Sequence, residues 1–139
     1  MAQHTLPEAT DLAADARLAA ARGVPLMVLY SRDDCSWCDK VRREFLGPMS
    51  RNPSVAAVIR ELHMDRATVL VDFAGRRTTS AEFSKRIQAQ FAPTVMFHGP
   101  DGADLAEPIV GFRLADFYGA YLNNASEESR ARLQPRKPQ

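Results

Sequence analysis

The apolar positions of the chain come in short runs with different spacings. Leu12, Ala16 and Ala19 stand at i, i+4 and i+7 in an Ala-rich stretch, which predicts a helix over residues 8–22. Gly23 is placed to end it, with Pro25 just beyond. Val24 to Tyr30 is a continuous apolar run of strand length, so a buried strand is expected at about 25–30. Val41, Phe45 and Leu46 return to helical spacing from Trp37 and Cys38, and Gly47-Pro48 is expected to stop that helix. Asn52 reads as an N-cap before Pro53, so a second short helix is expected to bury Val55, Val58 and Ile59. Thr68 to Phe73, rich in branched residues, is the next expected strand, and Gly75-Arg76-Arg77 a turn.

Thr79 with Glu82 three residues on forms a capping box. Phe83, Ile87 and Phe91 then recur every four residues, as core positions of an amphipathic helix that Ala92-Pro93 breaks. Thr94 to His98 is a strand, Gly99-Pro100-Asp101-Gly102 a hairpin turn, and Pro108 to Phe112 the returning strand. Leu114, Phe117, Tyr118, Tyr121 and Leu122 make the last helix, with Asn123 and Asn124 at its end. Ser126 to Gln139 is polar and Pro-containing, a loose tail. The first two strands flank a helical crossover and are expected to run parallel; the last two form an antiparallel hairpin. The fold class is therefore α/β: a mixed four-stranded sheet with an antiparallel C-terminal hairpin, helices on both faces and an extra N-terminal helix. The division expected is a flexible N-terminus over 1–7, one domain over 8–124 and a flexible tail over 125–139.

Composition narrows the function classes. At 139 residues the chain is one domain long and can bury a proper core. A net charge of +1 predicts no strong attraction to nucleic acid or to an anionic membrane. No apolar run approaches the ~20 residues of a membrane-spanning helix. Met1 to Thr10 lacks the apolar core of a signal peptide, which leaves two compartments open: the cytosol, or an extracytoplasmic space reached with a signal since removed.

The chemistry gathers at Cys35-Ser36-Trp37-Cys38, the only two cysteines of the chain. They follow the buried strand and open a helix. Two sulfurs at i and i+3 share one helical face and can close a small ring. The positive end of the helix dipole favours thiolate at the first of them. Strand, Cys-x-x-Cys, helix is the layout of a thiol–disulfide centre. A zinc site made with His63 and His98 is arithmetically possible, but neither spacing fits a ribbon or finger. Covalent haem attachment needs His after the second cysteine, where Asp39 stands. No cofactor and no metal are expected. Trp37 reads equally as a substrate-contact aromatic or as a lid on the site. Lys40, Arg42 and Arg43 read as the solvated face of the motif helix. Tyr30 reads as core, Met27, Met64 and Met96 as core filler, and His4 as part of a loose terminus.

The Cys-x-x-Cys after a buried strand, with Ala92-Pro93-Thr94 before a hairpin some 55 residues later, resembles the thioredoxin family. Closer still, the chain is similar to periplasmic thioredoxin-like domains, the C-terminal domain of the membrane thiol carrier DsbD and the SoxW-like reductases. The shared features are Leu29-Tyr30 entering the motif, a broken helix from Phe45 to Val55, Pro93-Thr94-Val95-Met96-Phe97, and Gly111-Phe112 before the last helix. The resemblance covers roughly residues 10–124. It implies a cis peptide at Ala92–Pro93 beside Cys35, and an Ala92 backbone that pairs with an incoming substrate strand. It implies Cys35 as nucleophile and Cys38 as the resolving thiol. Ser36-Trp37 brings no cation between the cysteines, and Asp33 and Asp34 oppose further negative charge, so a reducing protein with a modestly lowered thiol pKa is expected.

One position departs from the family. Leu29 stands six residues before Cys35, where thioredoxins usually carry a buried acid that takes the proton of the second thiol. Asp33, Asp34 or water are the candidate substitutes. The leading expectation is a monomeric disulfide reductase of protein substrates. It would work in the periplasm, with electrons supplied by a thiol donor such as a membrane thiol carrier; the cytoplasm is the alternative. A disulfide oxidase or isomerase, and a binding module without turnover, are the rival functions.

Overall fold

The computed structural model describes residues 5–112 and 115–134. Helix α1 spans Leu12–Arg22. It starts at Asp11, whose carboxylate accepts the Ala14 N–H at 2.9 Å, a cap worth about 1 kcal/mol. It ends at Gly23 with φ +68°, a left-handed position that glycine takes without steric cost. Its buried face is Leu12, Ala16 and Ala19, as the spacing predicts.

Strand β1, Leu26–Ser31, is buried at every position. The motif helix α2 covers Ser36–Val41, continues through a π-helical turn at Arg42–Leu46, and runs on as α3, Gly47–Arg51. Gly47-Pro48 therefore does not stop the helix. The Gly47 N–H reaches back to the Arg42 carbonyl, and Pro48 occupies the first turn of the next segment, where it lacks no needed donor. Asn52 caps no second helix. Its side chain accepts the Ser54 N–H at 2.9 Å in an Asx turn.

The expected short helix is instead strand β2, Val58–His63. It pairs in parallel with β1, Leu26 opposite Val58 through Ser31 opposite His63. Val58 and Ile59 suit either element; the exposed donors and acceptors of β1 decide the matter. The expected strand at 68–73 shortens to β3, Val69–Val71, and pairs with β4, Arg77–Thr79, in a separate two-stranded sheet. The turn between them rests on Asp72, whose carboxylate accepts the Ala74 and Arg76 N–H groups, each at 2.9 Å.

Helix α4, Ser80–Arg86, is capped by Thr79, which accepts the Glu82 N–H at 3.2 Å. The helix is shorter than the four-residue repeat predicts. Gln88 takes a left-handed φ of +61°, the repeat breaks, and Phe91 turns out to solvent at 69% exposure rather than joining the core. Strand β5, Thr94–His98, pairs antiparallel with β1 and with β6, Ile109–Val110. The main sheet thus runs β2-β1-β5-β6. Helix α5 covers Ala115–Leu133. It passes through Asn123 and Asn124, and Ser126 to Leu133, expected as loose tail, are helical with Ser129 buried. At the other end, Leu6 is buried and the Pro7 carbonyl accepts the Glu61 N–H at 2.9 Å. Leu114, His4 and residues 135–139 lie outside the described residues.

Two apolar layers sandwich the sheet. On one face Met27, Leu29, Ile59, Val95 and Phe97 meet Val41 and Leu46 of the motif region and Tyr118 and Leu122 of α5. On the other, Val28, Tyr30 and Leu62 meet Leu12 and Ala19 of α1 and Phe83 of α4. The alternation along β1 thus sends odd-numbered residues toward the motif helix, and this decides which groups lie beneath the cysteines.

Candidate active site

Cys35 and Cys38 are joined as a disulfide with Cα atoms 5.2 Å apart. Cys35 is the N-cap of α2 and its sulfur accepts the Cys38 N–H at 3.1 Å. Its first-turn position places the sulfur at the positive end of the helix, where negative charge is stabilised. Cys35 is half-buried; Cys38, one turn in, has no exposure at all. One cysteine of the pair is partly exposed and the other is not.

The sheet carries the second wall to the same end. Tyr30 pairs with Thr94, so the loop leaving β1 toward Cys35 and the loop entering β5 sit side by side. Pro93, buried, immediately precedes Thr94 in that loop, and the Ala92–Pro93 peptide is cis. The Pro93 carbonyl is held by the Gly111 N–H at 2.7 Å and Thr94 Oγ1 donates to the Phe91 carbonyl at 2.6 Å, which fixes the loop from both ends.

Trp37 is 55% exposed, yet one face stacks on Phe112 with ring centroids 5.4 Å apart. Phe112 in turn meets Tyr118 at 4.8 Å and Phe45 at 6.0 Å. An aromatic column thus anchors Trp37 while leaving its other face open. Both sequence readings of this residue, contact and packed lid, describe part of its position.

Two expectations about charge change. Asp33 does not stand free before Cys35. Arg66 sits 2.7 Å from its carboxylate and His63 Nδ1 3.0 Å, and the hydrogen bond from Arg66 holds its carboxyl below the usual carboxylate range. Its opposition to a Cys35 thiolate is therefore offset by a cation. Arg42 is not part of a solvated face. It turns inward, 14% exposed, and its guanidinium grips the buried Glu61 carboxylate, Nε to Oε1 at 2.7 Å and Nη2 to Oε2. The hydrogen bonds that Arg42 donates to Glu61 raise its pKa further. Ser31 Oγ also donates to Glu61, and His63 Nε2 lies 3.5 Å from it.

Glu61 is the residue that sequence reasoning missed. It is hidden in the sequence because Val58 and Ile59 read as the end of a short helix and residues 60–63 as part of no element. In the sheet it is the parallel neighbour of Leu29, on the same face, turned toward the motif helix. His63 and His98 are not brought together. His98 pairs with Leu26 at the far end of β1 and is hydrogen-bonded to Tyr30 at 2.8 Å, while His63 lies beside Ser31. Among the described residues Asp33, His63 and Asp65 gather ligand atoms within 4.8 Å, but the Arg66 cation already occupies the Asp33 carboxylate.

The site thus combines a partly exposed cysteine capping a helix, a buried one a turn below, and a cis-proline loop at the same end of the sheet. The sequence matches the thioredoxin-like domain family over residues 12–126. The chain belongs to that family. No curated protein sequence matches it significantly. Among solved structures it is similar to mitochondrial thioredoxin 3 from Saccharomyces cerevisiae, with TM-score 0.59 and 15% identity over 92% of this chain and 99% of that one. A thioredoxin-fold protein from Helicobacter pylori gives TM-score 0.59 and 13% identity over 84% and 75%. A thioredoxin from Thermus thermophilus gives 0.55 and 17% over 88% and 87%. At these identities the structural likeness shows the fold alone. The Cys-x-x-Cys disulfide of this thioredoxin-like domain is consistent with a thiol–disulfide oxidoreductase.

Proposed function

We propose that this thioredoxin-like protein is a reductase of protein disulfides that works as a monomer through Cys35 and Cys38. The observation that carries the reading is the unequal exposure of the two cysteines at a helix N-terminus. In the dithiol form the Cys35 thiolate attacks one sulfur of a substrate disulfide. A Cys35–substrate bond forms and the other substrate sulfur leaves as thiolate. The Cys38 thiolate then attacks Cys35, and the second substrate sulfur leaves. Two electrons pass to the substrate, and the two protons its thiols gain replace those lost by the dithiol. A thiol donor reverses the ring closure. Trp37 lies within the motif, the Ala92–Pro93 loop enters β5 at the end of the sheet where β1 leaves for Cys35, and the Ala92 backbone is suited to pair with an extended substrate segment. A membrane thiol carrier as donor and a periplasmic setting belong to the same proposal; they rest on the Leu29-Tyr30 and Gly111-Phe112 features.

The test is a Cys38→Ser variant incubated with a disulfide-containing protein. A mixed disulfide that dithiothreitol releases is expected, and its absence, together with no turnover by the wild type, sinks the enzyme reading in favour of a binding module. The reduction potential of the pair decides direction. A value around −230 mV or lower fits a reductase, and one near about −120 mV an oxidase.

A further inference from the structure

We propose that the buried Arg42–Glu61 pair is the electrostatic element that sets how stable the Cys35 and Cys38 thiolates are, in the place that Leu29 leaves apolar. This rests on the reading of the two cysteines as a redox pair. The argument starts from the sheet. The residues of β1 and β2 that face the motif helix are Met27, Leu29, Ser31, Ile59, Glu61 and His63. Of these only Glu61 and His63 carry titratable groups. Glu61 is the deeper, its side chain 4% exposed against 14% for His63.

The other half of the pair belongs to the motif helix itself. Arg42 follows Cys38 by four residues, and its N–H reaches the Cys38 carbonyl. Residues four apart on a helix stand about 6 Å apart at Cβ. Arg42 therefore leaves the motif helix on the same face as Cys38, one turn on, and its guanidinium is held by Glu61. Both charges act on the dithiol through a poorly solvated interior, where a single charge change is felt strongly. The other charged groups nearby are Asp39, which meets Arg42 Nη1 at 2.6 Å, Asp33, paired with Arg66 and His63, Arg32 and Glu8, which line the same cavity, and Asp34, next to Cys35 in the chain. Lys40 and Glu44 pair with each other on the solvent side. The cavity at this end, about 420 Å³, is lined by Asp39, Arg42, Glu61 and His63 among others, so the pair borders water without being in it.

The signs follow from the charges. Removing the Glu61 carboxylate leaves Arg42 under-compensated and stabilises thiolate. Removing the Arg42 cation leaves Glu61 unopposed and destabilises thiolate. A merely structural pair would shift both variants in one direction, through a loosened motif helix. Positioning residues that act by charge move them apart, and the double change cancels.

The experiment measures iodoacetamide alkylation of reduced Cys35 against pH, and the thiol–disulfide equilibrium with glutathione, for wild type, Glu61→Gln, Arg42→Met and the double variant. Glu61→Gln is expected to raise the thiolate fraction at fixed pH below its midpoint by about tenfold, and Arg42→Met to lower it by a similar factor. The double variant is expected near wild type. Shifts of the same sign, or no shift in Glu61→Gln, overturn the proposal. Arg42→Met leaves a buried carboxylate unpaired; if it fails to fold, the sign of the Glu61→Gln shift alone decides, since a rise supports the proposal and anything else refutes it. The redox reading fails separately: a wild type with no two-electron transition against glutathione ends that reading, while the alkylation profile still tests the pair.

Discussion

Gly47 is the position where sequence propensity and tertiary structure give opposite answers. Alanine is preferred to glycine inside a helix by about 1 kcal/mol. Gly47 is also buried, so an added methyl removes itself from water for a further ~0.8 kcal/mol. On those grounds Gly47→Ala stabilises. The structure reverses the sign. A Cβ at Gly47 stands 2.6 Å from the Arg42 carbonyl oxygen. That oxygen is backbone, and it accepts the Gly47 N–H in the π-helical turn, so it cannot swing aside as a side chain does. Relief requires opening the turn. Overpacking of this kind costs up to about 3 kcal/mol, and the lost hydrogen bond adds about 1. The net expectation is a loss of about 2 kcal/mol. With a urea m-value of about 2 kcal/mol/M, the unfolding midpoint falls by about 1 M. Equilibrium urea unfolding followed by far-ultraviolet circular dichroism, on the oxidised protein, measures it. A midpoint equal to or above wild type refutes the reasoning, because it means that the turn converts to ordinary α-helix at no cost. The same turn carries Arg42 to Glu61, so the variant also tests whether the motif helix needs its π-turn to make that contact.

His98 makes stability depend on pH. Burial lowers its pKa from 6.5 to about 4, so the unfolded chain binds the proton more readily. The stability from the neutral ring is complete above pH 6.5 and is lost as pH falls through about 4, on the order of 3 kcal/mol in all. Urea midpoints at pH 7 and 4.5 are expected to differ by less in His98→Gln than in wild type; equal differences contradict the account. Phe112→Ala removes the surface on which Trp37 stacks and is expected to cost about 2 kcal/mol. It should also lower the fluorescence anisotropy of Trp37, the only tryptophan, and unchanged anisotropy would show that the column does not hold the ring.

The two cysteines, the capped helices and the Ala92-Pro93-Thr94 strand entry were legible in the sequence because local chemistry determines each of them. Asp11 and Thr79 cap with their own side chains, Gly23 takes its left-handed φ alone, and Val24 to Tyr30 is too apolar and too short for anything but a buried strand. What local spacing could not decide is partnership. Val58 to His63 carries branched residues at spacings that suit a helix or a strand, and the open edge of β1 selects the strand. Phe91 keeps the period of its helix in sequence and loses it in space, because Gln88 turns the chain one residue after Ile87. Arg42 looks like any exposed helix cation until β2 brings Glu61 beneath it. A charge is placed by the group that compensates it, and that group lies 19 residues away on a neighbouring strand. The sequence alone determined where the reactive sulfurs stand along the chain and that a helix begins there. The acid beside Leu29, the inward turn of Arg42 and the support of Trp37 were decided by the sheet register and the packing of α5, which no local pattern records.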